Sequence, residues 1–208
     1  MPSIPLDLLD PEFLPEPLVT EPSVAPPAVA DTGTSWEAIA ARLEQEVEAA
    51  AVLALTGEPD FGSVLALVDS AFEVHEAYLA EAVFTPPMAC AKGCHHCCFN
   101  PVSLSPVEAL HLGAFIEDHF TPDHLDRVRQ RLDPVLTVLR GKTRQEMSQQ
   151  RHLLLCPLVM EGACAGHPAR PLVCRGWNSI DPEPCRLSVE RREPMMDIEN
   201  HELPRLLA

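Results

Sequence analysis

Four cysteines, Cys90, Cys94, Cys97 and Cys98, fall within nine residues of one another, and four more, Cys156, Cys164, Cys174 and Cys185, occupy a later stretch of thirty. Thiolate is a soft ligand suited to zinc or iron, and four of them around one ion make a closed structural site. The Cys94-x2-Cys97 spacing is a short loop whose two thiolates reach a single ion, and Cys90-x3-Cys94 offers a third. Cys97 and Cys98 are adjacent, so their side chains diverge and do not both serve one compact tetrahedron. A multinuclear site, or two sites sharing the segment, accounts for the pair. The later cysteines lie among Pro157, Gly162, Gly166, Pro168, Pro171, Gly176, Pro182 and Pro184, a loop-rich section that a metal would hold in place. An even number of cysteines also suits a disulfide scaffold. Against that, the N-terminus has no basic region followed by an apolar one, as a secretory signal would. The expected location is the cytoplasm, whose reducing conditions do not sustain disulfides.

Other residues near the cysteines have weaker claims. Imidazole suits zinc and iron, but with so many thiols at hand His95 and His96 read as neighbours that tune the site rather than as ligands. His75, His111, His119, His124, His152 and His201 read as ordinary. Arg170 and Arg175 flank Cys174. A guanidinium there either offsets gathered thiolate charge and holds an anionic substrate, or makes a structural ion pair, and both readings stand. Trp177 is expected to pack over the loop, and Met195-Met196 to pack in the tail rather than to bind copper. No Ser–His–Asp set, phosphate-cradling glycine loop or paired-carboxylate motif is present, so any catalysis would occur at the metal. Cys90-x3-Cys94-x2-Cys97 has the spacing of the radical-SAM cluster loop. That class needs a barrel of strands and helices, which the helical surroundings do not supply, and His96 replaces the usual aromatic or hydrophobic residue before the last cysteine.

The elements that must position these groups are helices. At 208 residues the chain is one domain of ordinary size with an appendage. Residues 1–34 hold eight of the 22 prolines and no Lys or Arg, and read as a disordered acidic tail, because each proline removes an amide donor and fixes φ. Leu6, Leu8, Leu9, Phe13, Leu14 and Leu18 give the same tail a second reading, a peptide that docks a protein partner. Residues 35–208 form the helical cysteine-cluster domain, with its motifs over 90–185. The formal charge of −16 disfavours nucleic acid, which needs a basic face to displace counterions. No apolar run approaches the ~20 residues that span a bilayer, so no membrane is expected.

Thr34-Ser35-Trp36-Glu37 looks like a capping box opening a helix with Trp36, Ile39, Leu43 and Val47 at helical spacing, closed by Gly57. A second helix is predicted from about Ser63 to Phe84 by the face Val64, Val68, Phe72, Leu79 and Val83. Thr85-Pro86-Pro87 then stops it before the first cysteines. Ser105-Pro106-Val107-Glu108 and Thr121-Pro122-Asp123 open two more helices. The second carries Leu125, Val128, Leu132, Val135, Leu136 and Leu139, with Pro134 expected to kink or split it and Gly141 to end it. Thr143 to His152 adds a short helix. No strand alternation appears. The fold class is therefore mostly α, a small helical domain with a loop-rich C-terminal section clamped by its cysteines.

Lys92-Gly93-Cys94-His95-His96-Cys97-Cys98, Leu104-Ser105-Pro106-Val107-Glu108-Ala109, Cys156-Pro157-Leu158 and Arg170-Pro171-Leu172-Val173-Cys174-Arg175-Gly176-Trp177-Asn178-Ser179 follow one another in an order that resembles the YkgJ-type cysteine-cluster family. The match runs from about Cys90 to Cys185. The family is described as a zinc- or iron-chelating domain. The resemblance implies that Cys90, Cys94, Cys97, Cys98, Cys156, Cys164 and Cys174 are the shared metal ligands, and Cys185 follows the last motif. Gly166-His167 replaces an Ile-Tyr pair common in the family, which raises His167 as a further ligand candidate. The expected function is a metal-binding protein holding zinc or iron, mononuclear or as an iron–sulfur cluster, with the metal mainly structural. The alternative is an iron–sulfur redox or protein-modifying enzyme using the same cluster. Some relatives carry this module beside a flagellin-linked lysine methylation function, which nothing else in the chain supports.

Overall fold

Helical periodicity becomes helix here wherever a side chain is present to take up the first free amides. The structure, a computed structural model, describes residues 36–54, 56 and 60–208. The tail 1–34, the cap expected at Thr34 and the stop expected at Gly57 lie outside the described residues. Helix α1 (Trp36–Ala54) packs along α2 (Phe61–Glu81). Helix α2 begins ahead of the expected Ser63 because Asp60 is its N-cap, its carboxylate accepting from the Ser63 amide at 2.8 Å. It ends at Glu81 rather than Phe84, as Ala82 turns extended (φ −75°, ψ 137°). Val83 therefore falls beyond the helix and is 66% exposed. The buried face is instead Val68, Phe72, His75 and Tyr78.

Helix α3 (Pro106–His119) packs on α2 and carries both halves of the Ser105–Glu108 capping box. Helix α4 (Pro122–Leu139) opens on Thr121, whose hydroxyl accepts from the His124 amide. Pro134 lies inside this helix without splitting it. Gly141 takes the left-handed φ of 69° after the C-cap Arg140, and a Thr143–Glu146 capping box starts α5 (Arg144–Gln149).

From Cys156 onward the chain holds more regular structure than its prolines and glycines suggest. A two-residue hairpin pairs β1 (Val159–Met160) with β2 (Ala163–Cys164), turned by Glu161 and Gly162 at positive φ. Three short helices follow: α6 (Leu172–Gly176), α7 (Pro182–Glu190) and α8 (Leu203–Leu206). Pro182 starts α7 rather than breaking it, because at the first helical position its missing N–H costs nothing. Asp181 caps that helix by accepting from the Glu183 amide at 2.9 Å. Helix α8 lies against α6 so closely that a Cβ on Gly176 would stand 2.7 Å from the Pro204 carbonyl oxygen and 2.8 Å from the Ala208 Cβ. Glycine is required there for contact, not for turn geometry. The protein is thus mostly helical, as the periodicity predicts. Among the described residues no helix is long and apolar enough to cross a membrane.

Candidate metal centre

Backbone hydrogen bonds bring the cysteine-bearing segments together in two groups. The Ala89 amide donates to the Ser179 carbonyl at 2.8 Å, and the Cys90 sulfur lies 4.0 Å from that same oxygen. Ser179 is 2% exposed, and its hydroxyl donates to the carbonyls of Asp181 and Glu199. The Cys185 sulfur, on α7, stands 3.9 Å from the Asp181 carbonyl oxygen. One turn, Ser179 to Asp181, anchored by the buried Ser179, therefore lies against both Cys90 and Cys185. Cys94 sits in a tight turn (its amide donates to Ala91) whose Gly93 has φ 96°.

The second group grows from the 3-10 turn His96–Phe99, which carries Cys97 and Cys98. The Cys156 amide donates to the Cys98 carbonyl at 2.8 Å, and the Cys156 carbonyl accepts from Val159 at 3.0 Å. Val159 is the hairpin partner of Cys164. Cys174 lies on α6, whose first amide, that of Leu172, donates to the Glu108 carboxylate at 2.8 Å. The other oxygen of that carboxylate caps α3 through Ser105. Glu108 thus fixes the starts of two helices at once. The His96–Phe99 turn also packs against α7 and against the 3-10 turn Arg151–Leu153, joining the two groups.

All eight cysteines are free thiols, Cys90 exposed and the others half-buried. Among the described residues no three His, Cys, Asp or Glu side chains already stand in a metal-holding arrangement. The thiols nevertheless act on one another. Burial pushes the Cys174 thiol up to about 12, and Cys156, Cys97 and Cys164 push it the same way. Burial likewise raises Cys90, with Cys94, Cys97 and Cys185 adding to it, and raises Cys185, with Cys94 and Cys97 adding. Cys156 and Cys164 are raised by burial and by Cys97. Cys97 moves the other way: the neighbouring Cys98 thiol donates to it, and Arg170 and Arg151 favour its thiolate. Cys98 is raised by the same contact. Cys97 therefore lies within electrostatic reach of both groups.

The cations around the thiols divide into two kinds. Arg175 is structural: it pairs with Glu76, donates to the carbonyls of Arg170 and Pro168 at 2.8 and 2.6 Å, and lies 4.1 Å over the Phe72 ring. Arg170 faces Cys97, Cys164 and Cys174. Arg151, which is 8% exposed, faces Cys97 and Cys185. Among the described residues neither Arg151 nor Arg170 has a carboxylate partner, and the Nε of each is buried with no hydrogen bond. A guanidinium nitrogen buried without a partner is costly unless negative charge lies beside it. Thiols able to carry that charge lie within electrostatic reach of both arginines.

The histidines stay apart. His95 turns back on its own loop, Nδ1 3.3 Å from the Gly93 carbonyl oxygen, and its ring faces His96 and Phe99. His96 is lowered by burial and by His95 and Arg186. His167 is exposed, and its leading charged neighbours are Arg170, Arg175, Glu76 and Lys92 rather than cysteines. His75 and His111 are not ordinary surface residues: both are buried, His75 against the Pro204 carbonyl and His111 on Asp69 at 2.7 Å. Trp177 packs beneath Arg205 of α8, as a loop-covering residue would, while Met195 is 81% exposed and Met196 half-buried.

The spacing of the cysteines gives no hint of Arg151, Glu108 or Asn178. Asn178 is 8% exposed and ties α6 to the C-terminal segment, exchanging two bonds of 2.8 Å with His201. A soft cation suits this donor set. Eight thiols with two orphaned guanidinium nitrogens beside them supply soft ligands and part of the charge balance that several thiolates around one cation require. No family model, no curated protein and no solved structure matches the chain.

Proposed function

We propose that this chain is a metal-binding protein of the YkgJ type, holding zinc or iron through its clustered thiolates in the cytoplasm. The observation that carries this reading is the pair of guanidinium groups of Arg151, buried, and Arg170, half-buried, each with a buried Nε that makes no hydrogen bond, without a carboxylate partner and within electrostatic reach of the thiols. Protonated thiols are neutral and give a buried cation no partner. Thiolates bound to a divalent ion form a centre of net negative charge, which two arginines offset. With burial holding Cys174 at about 12, a metal must supply the positive charge that deprotonates it, as coordination does for thiols generally. The role of the metal is structural. It pins the segment from Cys156 to Cys185, built of short turns and helices, onto the 3-10 turn His96–Phe99 and the loop before it.

Purification without oxygen, followed by elemental analysis and visible spectroscopy, tests this. At least one zinc or iron per chain is expected. Less than one, with eight titratable thiols, would overturn the reading. Absorption that dithionite bleaches would assign the thiolates to an iron–sulfur cluster, the form a redox or protein-modifying enzyme would use, since zinc is colourless and redox-inert.

A further inference from the structure

Helix α4 and the turn after it are the basic part of an acidic protein. Residues 127–144 hold six of the 15 Lys and Arg: Arg127, Arg129, Arg131, Arg140, Lys142 and Arg144. The helix buries none of its side chains. Arg131 donates to the Val159 carbonyl, so that edge of the helix faces the hairpin. Turned away from it, Arg129, Leu132, Leu136 and Arg140 follow at i, i+3, i+7 and i+11 and share one stripe. Leu132 is 38% exposed and Leu136 43%, and both arginines are exposed beside them. Among the described residues Arg140 has no carboxylate partner. Arg129 has Asp126, but both side chains of that pair are open to water and hold each other weakly. Two leucines bracketed by two guanidinium groups fit a ligand of the inverse pattern, apolar side chains bracketed by carboxylates.

That inverse pattern occurs twice in the chain's own N-terminal segment, as Asp7-Leu8-Leu9-Asp10 and Glu12-Phe13-Leu14-Pro15-Glu16. We infer that residues 7–16, which lie outside the described residues, dock on the Arg129–Leu132–Leu136–Arg140 stripe of α4 in the same chain. Charge favours this pairing, because residues 1–34 carry six acids and no Lys or Arg. Length favours it as well. The stripe is about 16 Å long at the rise of an α-helix. The five-residue step from Asp7 to Glu12 covers about 16 Å of extended chain, the form that Pro11 and Pro15 promote. From Glu16 to Trp36 the chain reaches up to about 60 Å, whereas a compact domain of this size is about 40 Å across. A tether of that kind also raises the local concentration of the segment, so a weak contact suffices to hold it. An anionic membrane would suit a basic amphipathic stripe too, but it repels a chain of net charge −16.

The test uses the full chain with a photoreactive benzoylphenylalanine in place of Phe13. After irradiation, peptide mapping of the monomer by mass spectrometry should place the main crosslink within residues 129–140. Arg129→Glu with Arg140→Glu should lower that crosslink about fivefold, as two reversed surface ion pairs would. Adding Asp7→Arg, Asp10→Arg and Glu12→Arg to the same chain should restore it. Should the α4 variant lose its helical circular dichroism, the decision falls to the three tail substitutions on an unaltered α4, which should give the same loss. A crosslink that is absent, scattered over the domain, centred on the exposed Val52 and Leu53 of α1, or formed only between chains would overturn the docking. So would a crosslink to α4 that ignores the charge reversals. Its disappearance on adding phosphatidylserine vesicles would overturn it in favour of a membrane.

Discussion

At the scale of single residues, two arginines five positions apart in the sequence do different work. Arg175 satisfies Glu76 and two carbonyls, so Arg175→Ala should cost stability, about 2–4 kcal/mol for a buried guanidinium that loses several charged hydrogen bonds. Denaturant unfolding would measure it, with metal content per folded chain unchanged. Arg170→Ala should do the reverse, weakening zinc retention against a chelator while leaving the unfolding midpoint of the metal-free chain nearly in place. His75 provides a pH signature. Burial lowers its pKa, with Arg175 and Arg170 lowering it further and the Pro204 carbonyl and Glu76 opposing. The unfolded chain therefore takes up a proton that the folded chain refuses. Stability should be complete above the ordinary histidine value of about 6.5 and fall as pH drops from there toward the folded value. His75→Gln should flatten that limb in unfolding curves recorded across the range. None of this was legible beforehand, because a histidine at helical spacing shows neither its burial nor its neighbours.

At the scale of elements, capping was legible and contact was not. The Ser105–Glu108 and Thr143–Glu146 boxes form as their residue patterns predict, because a cap is built from residues three apart. That Glu108 also takes the Leu172 amide depends on two segments 64 residues apart meeting. The run of prolines and glycines after Cys156 reads as loop, yet Pro182 and Asp181 supply the start of α7 and Gly176 the docking of α8. Gly176→Ala should push α8 off α6, a small-to-large change costing about 1–3 kcal/mol. Faster amide exchange and proteolysis confined to the C-terminal residues would reveal it. Asn178→Ala should loosen the same segment from inside by removing its bonds to Gly176 and His201. A C-terminal exchange pattern unchanged in both variants would refute this account of how the end of the chain is held.

At the scale of the whole molecule, the two ends of the domain differ in what holds them. Helices α1 to α3 bury an apolar face around Val68, Phe72 and Tyr78, whereas the section from Cys156, which buries Val159, Met160, Ala169 and Leu207, adds buried polar side chains, loop backbone bonds and half of the thiols. Metal removal should accordingly act locally. A chelator is expected to make the chain after Cys156 protease-sensitive and to lower the melting temperature, while the α1–α3 helical signal persists at lower temperature. Loss of all helix in one step on chelation would contradict that division. The sequence by itself determined the helical class, the caps and the presence of eight thiols in two runs, since each of these depends on residues close together along the chain. Which thiols face one another, which arginine is left without a carboxylate and why Gly176 must lack a side chain were decided only by tertiary structure. Those depend on how separate segments of the chain meet in space, or on contacts with the chain's own far end, and no local pattern encodes them.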